Sequence, residues 1–146
     1  MSDSLKHLCQ LADERKAAKH PTLPAHARVK AKYSDKSANE LTRCIVDYLT
    51  LSGHFATRLQ STGTYRADLQ RFVPSQQRAG LPDIYSCVDG GHAVHIEIKV
   101  GKDRLSEDQK QTISDLQQAG ASVFITGDFQ TFYDWFTTEF LTPPFP

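Results

Sequence analysis

Long hydrophobic runs are missing from this sequence. No stretch approaches the roughly 20 consecutive apolar residues that cross a bilayer, which argues against a membrane span. The segment from Met1 to Gln10 lacks the basic-then-apolar design of a secretory signal, so a cytoplasmic protein is expected. Cysteine is scarce. Cys9, Cys44 and Cys87 are an odd number without a C-x-x-C pair, which argues against a disulfide framework or a zinc ribbon. Two of them fall on the apolar side of predicted elements, where a free thiol packs as a small hydrophobe in a reducing compartment. Net charge is also absent, with 17 Lys and Arg against 17 Asp and Glu. That balance argues against a strong nucleic-acid binder. No internal repeat is visible.

What is present suits one soluble domain with a short appendage: 146 residues, 39% hydrophobic, 10% aromatic and 23% charged. The charges are unevenly spread. Arg28, Lys30, Lys32 and Lys36 form one basic run, and Arg58, Arg66, Arg71 and Arg78 a second, broken by Asp68. Acidic residues gather from Glu107 to Glu139. A neutral chain of this kind can still turn one positive face to phosphate.

Leu5, Leu8, Leu11 and Ala12 have helical spacing within 4–19, and His20-Pro21-Thr22-Leu23-Pro24 breaks that helix. Residues 1–36 are therefore expected to form an N-terminal helical arm and basic linker, and 37–146 the domain proper. Leu41, Cys44, Ile45, Tyr48 and Leu49 follow the i, i+3, i+4, i+7, i+8 rule over 38–51, and Ser52-Gly53 closes that helix. Residues 54–60 alternate as a strand, and a long loop over 61–81 follows. Strands over 84–88 and 93–100 flank the turn Asp89-Gly90-Gly91. A helix from Ser106 to about 119 is followed by a short strand over 121–126, expected to be buried on both faces. A final helix carries Phe129, Phe132, Tyr133, Trp135, Phe136 and Phe140, and Pro143-Pro144-Phe145-Pro146 ends the chain irregularly. The implied class is α/β, a mixed sheet flanked by helices.

The hairpin register carries the chemistry. A three-residue turn at 89–91 pairs Val88 with His92, hence Ile84 with Ile96 and Asp83 with Glu97. Ile84, Val88, Val94, Ile96 and Ile98 then share one face and build core. Asp83, Glu97 and Lys99 share the other, beside Tyr85 and His95. Two carboxylates across a ladder stand about 5 Å apart at Cβ and repel unless a cation or proton neutralises them. Mg²⁺ is the natural cation, since it takes oxygen ligands, often one or two carboxylates. Beside it Lys99 can orient an attacking water or stabilise charge on a phosphate. Glu-x-Lys or Pro-Asp alone is common in strands; their conjunction in matching register is not.

The series Gly80-Leu81-Pro82-Asp83-Ile84, Ile96-Glu97-Ile98-Lys99 and Ser106-Glu107-Asp108-Gln109-Lys110 resembles the VRR-NUC branch of the PD-(D/E)XK nuclease superfamily, over about residues 37–127. The resemblance implies a restriction-endonuclease-like core with a mixed four-stranded sheet, and hydrolysis of DNA phosphodiesters with Mg²⁺ or Mn²⁺. It implies that Asp83 and Glu97 bind metal with the Ile98 main-chain carbonyl, and that Lys99 is the catalytic lysine. It further implies that Glu40 assists the metal and Gln109 supports the site. Both also fit capping boxes, Ser37-x-x-Glu40 and Ser106-x-x-Gln109.

Arg58, Tyr65, Arg66, Arg71, Phe72 and Arg78 interleave cations with aromatics before Asp83. Either the arginines hold phosphates while the rings stack on bases or wedge a junction, or the segment is a solvated loop anchored by two rings. His95 either contacts a phosphate or is a surface histidine. Stand-alone VRR-NUC enzymes resemble Holliday-junction resolvases, which implies a homodimer acting on branched DNA. The aromatic last helix offers more surface than one face can hide, and part of it is expected to form the dimer interface. The alternatives are a sequence-specific or nicking nuclease on the same core, a catalytically silent nucleic-acid-binding module, or an unrelated protein carrying the motif by accident.

Overall fold

The computed structural model describes residues 1–60 and 63–141, so the proline-rich end, expected to be irregular, and the first two positions of the 61–81 segment lie outside the described residues. Helix α1, Asp3–Lys19, is capped by Ser2, whose Oγ accepts the Leu5 N–H. Leu5 and Leu8 are buried in the main core. Two polar contacts fasten this helix to the last one: Ser4 N donates to Gln130 Oε1 at 3.2 Å, and His7 Nδ1 meets Tyr133 Oη at 2.9 Å. Helix α2, Ala38–Leu51, buries Leu41, Cys44, Ile45, Tyr48 and Leu49, the stripe expected from their spacing.

Strands β1 (Phe55–Arg58), β4 (Ile84–Val88), β5 (His92–Ile98) and β6 (Ser122–Thr126) form one mixed sheet in the order β1-β4-β5-β6. The first three are antiparallel neighbours, and β6 runs parallel to β5 after helix α3, Glu107–Gln118. The hairpin register is as expected, with Ile84 opposite Ile96 and Val88 opposite His92. Its inward face of Ile84, Val88, Val94, Ile96 and Ile98 packs with α2 and α4, Phe129–Phe136, in a single cluster. The fold is α/β, a mixed four-stranded sheet flanked by helices.

Four details differ from the sequence expectation. Residues 61–81 are not one loop, because β2 (Thr64–Arg66) and β3 (Arg71–Val73) pair as a separate two-stranded sheet. The strand expected over 54–60 is limited to Phe55–Arg58. Strand β6 is not covered on both faces: it forms the sheet edge, and Ile125 is 42% exposed. The aromatic surface of the last helix is consumed internally. Phe129, Phe132 and Phe136 are fully buried, Trp135 stacks on Phe124 with centroids 4.4 Å apart, and Phe140 packs on Phe136 and Trp135. That helix leaves no free aromatic face to argue for an interface.

Candidate active site

The turn before Asp83 is shaped by Gly80. Its φ is +80°, and a Cβ there would collide with the main chain of Asp108 and Gln109 at the start of α3. Thr112 Oγ1 also donates to the Ala79 carbonyl at 3.2 Å. The segment that delivers Asp83 is thus seated on the helix that carries Gln109. Asp83 precedes β4, and its carbonyl accepts the Leu59 N–H at 2.8 Å. Continuing the ladder by one residue from Ile84 and Ile96 sets Asp83 opposite Glu97. Asp83 Oδ2 accepts the Ile98 N–H at 2.8 Å, which fixes that carboxylate against β5.

Glu97 lies on a central strand and is 1% exposed. Its Oε1 accepts from Gln109 Nε2 at 3.0 Å and stands 3.6 Å from Lys99 Nζ. Its Oε2 is buried without a hydrogen-bond partner. Burial first, then the Asp83 charge, push its carboxyl up to about 7, while Lys99 pulls the other way. A buried carboxylate oxygen with no donor is costly and is satisfied by a proton or a cation. Among the described residues no group of three or more His, Cys, Asp or Glu converges on a metal-sized site. Two carboxylates side by side therefore suit an ion that keeps much of its water, as Mg²⁺ does, rather than one needing a full cage of side chains.

Gln109 makes both of the contacts open to it. Its Oε1 accepts the Ser106 N–H at 2.9 Å in the capping box, while its Nε2 holds Glu97. Lys99, its side chain 14% exposed, lies between Glu97 and Asp103, whose Oδ2 is 3.5 Å away. Asp103 was missed in the sequence reasoning; its i+4 spacing from Lys99 is the only signal that could have found it. The structure brings Asp83, Glu97, Lys99 and Gln109 together.

The VRR-NUC domain profile matches residues 8–127 of the 146. The chain belongs to the VRR-NUC family. It is accordingly a nuclease-type domain with DNA as its substrate. No curated protein and no solved structure matches the chain significantly. No helix among the described residues is long and apolar enough to cross a membrane.

Elsewhere in this VRR-NUC domain the expected residues are dispersed. Glu40 is exposed and closes the capping box of α2, its Oε2 accepting the Ser37 N–H at 3.1 Å. It makes no hydrogen bond or ion pair to Asp83 or Glu97. Arg58 is exposed at the end of β1, opposite Ile84. Tyr65, Arg66 and Arg71 lie on the β2–β3 hairpin. Arg66 is held by Asp68 and Arg78 by Asp115 on α3. His95 is not a surface residue: 7% exposed, it packs its ring 5.2 Å from that of Tyr85, and burial lowers its pKa.

Proposed function

We propose that this VRR-NUC domain is a Mg²⁺- or Mn²⁺-dependent endonuclease that hydrolyses DNA phosphodiesters, with branched DNA such as a four-way junction as its preferred substrate. The observation that carries the metal-dependent reading is the buried, unpartnered Oε2 of Glu97 beside Asp83. Asp83 and Glu97 would hold the ion with the main-chain carbonyl of Ile98. When bound, such an ion supplies an acidified water and offsets charge on the scissile phosphate. The protein does the rest through position. Gln109 holds Oε1 of Glu97, which leaves Oε2 as the oxygen without a protein donor. The Ile98 N–H restrains Asp83 in the same way. Lys99, steadied between two carboxylates, brings an ammonium to the phosphate oxygens, where charge grows as the bond to the attacking oxygen forms. Glu40, by its place on α2, is assigned at most an indirect part.

The branched-DNA reading rests on the similarity to stand-alone VRR-NUC enzymes, and the exposed element leaving the sheet beside Asp83 is a short hairpin whose arginines suit contacts to phosphates rather than to base edges. Recognition would then rest on shape and deformability. Symmetric cutting of two strands calls for two sites, hence a homodimer. The test is cleavage of supercoiled plasmid, a four-way junction and a linear duplex with Mg²⁺, with EDTA, and with Asp83→Ala. Cleavage only with metal and with Asp83, and preference for the junction, are expected. Full activity in EDTA overturns the metal-dependent reading, and equal cutting of junction and duplex overturns the branched one.

A further inference from the structure

The β2–β3 hairpin has two unlike faces. Tyr65 and Phe72 stand directly opposite in the ladder and so project from the same side. Thr64 opposite Val73, and Arg66 opposite Arg71, take the other. Tyr65 is 62% and Phe72 61% exposed, and neither ring contacts another ring among the described residues. Rings that anchored the hairpin would be covered, and these are not. Gly63 makes the arrangement possible, because a Cβ at that position would collide with the Phe72 ring. The glycine leaves room for the ring to lie across the neighbouring strand.

The hairpin also springs from the candidate active site. Its incoming strand ends at Arg58, opposite Ile84, and Leu59 then donates to the Asp83 carbonyl. Its outgoing segment returns through Gly80, seated on α3 beside Gln109. On the basic face Arg66 is ion-paired with Asp68, while Arg71 has no acidic partner among the described residues. Aromatic area on one side and an unneutralised guanidinium on the other complement, respectively, an exposed nucleobase and the phosphates of the adjoining backbone.

We infer that Tyr65 and Phe72 form a stacking platform for an unpaired nucleobase of the DNA substrate, next to the phosphate presented to Asp83 and Glu97. The inference rests on the nuclease reading and adds to it the feature of DNA that is recognised, an unpaired base at a branch or in a single-stranded arm. An open duplex arm exposes such a base, and a fully paired duplex does not.

The test compares two oligonucleotide probes in EDTA, so that binding is measured without hydrolysis: a fully paired duplex, and the same duplex with an unpaired thymine arm. Wild-type protein should bind the armed probe more tightly. The double variant Tyr65→Ala, Phe72→Ala should lower the armed-to-duplex affinity ratio by about tenfold per stacked base. Tyr65→Phe should preserve the ratio, because the ring remains. Arg71→Ala should weaken both probes together and leave the ratio intact. Both aromatic side chains are exposed, so the variants should keep wild-type circular dichroism. An unchanged ratio in the double variant, or equal wild-type affinity for both probes, overturns the inference. A loss of self-association with no change in ratio also overturns it and assigns the face to a second copy. Plasmid cleavage by wild-type protein, run in parallel, separates the two readings: cleavage with an unchanged ratio removes only the platform, and a shifted ratio without cleavage removes only the nuclease chemistry.

Discussion

Replacing Glu97 with Gln should stabilise the metal-free protein, and by an amount that depends on pH. In the unfolded chain this carboxyl titrates at its ordinary value of 4.5, and in the fold at about 7. Below pH 4.5 both states carry the proton, and the folded state bears no penalty. As pH rises from there, the unfolded chain releases its proton while the folded one keeps it, so stability falls. Above about 7 the penalty is complete and constant. At about 1.4 kcal/mol per pH unit the full cost is about 3 kcal/mol. Glutamine keeps the shape and the acceptor for Gln109 but carries no charge, and its amide can donate toward Asp83. In EDTA, the melting temperature of Glu97→Gln minus that of wild type should be near zero around pH 4.5 and on the order of 10 °C around pH 8. Differential scanning calorimetry across that range measures it. A variant less stable than wild type at pH 8, or a gap that ignores pH, would refute the argument that the fold penalises the Glu97 charge more than Lys99 offsets it.

Further predictions follow from the same geometry. Lys99→Ala should reduce cleavage by about a hundredfold or more while leaving circular dichroism unchanged, as removal of a charge stabiliser does; cleavage rates and spectra on the same preparation check both halves. Gln109→Ala removes a cap and the anchor of Glu97 together, and should cost about 1 kcal/mol in urea unfolding as well as turnover. Gly80→Ala forces a Cβ into the first turn of α3 at a positive φ and should cost more than about 1 kcal/mol by the same measurement. Arg71→Ala should lower DNA affinity and reduce the slope of log affinity against log salt by about one, and Arg66→Ala by less because Asp68 already neutralises it.

The parts of the fold that could be read in advance are those fixed by local rules. Leu41 to Leu49 form a helical stripe, and a three-residue turn at Asp89–Gly91 leaves one register in which the hairpin buries Ile84 and Ile96. That register was enough to set Asp83 against Glu97. The β2–β3 hairpin was illegible because its strands are three residues each, with no periodicity, and its turn uses Gln70 at φ +49° rather than a glycine signal. The exposure of Ile125 depends on β6 being the sheet edge, which strand composition does not reveal. The depth of Glu97 and the burial of His95 were equally hidden, since both follow from β5 lying between β4 and β6 and, for Glu97, from α3 bringing Gln109 over it. The aromatics of α4 looked like surplus surface because their partners, Tyr48 and Phe124, lie on other elements whose packing local spacing does not reveal.

On the proposed reading Asp83 and Glu97 form a divalent-metal site that this chain uses to cut DNA. Isothermal titration of Mn²⁺ into wild type, Asp83→Asn and Glu97→Gln, with cleavage of a four-way junction followed on the same samples, tests it most directly. Wild type should bind the ion, release protons below about pH 7 as Glu97 ionises, and cut the junction, while each variant should lose both the binding and the cutting. Undiminished metal binding in both variants, or cleavage that persists without either carboxylate, would contradict it.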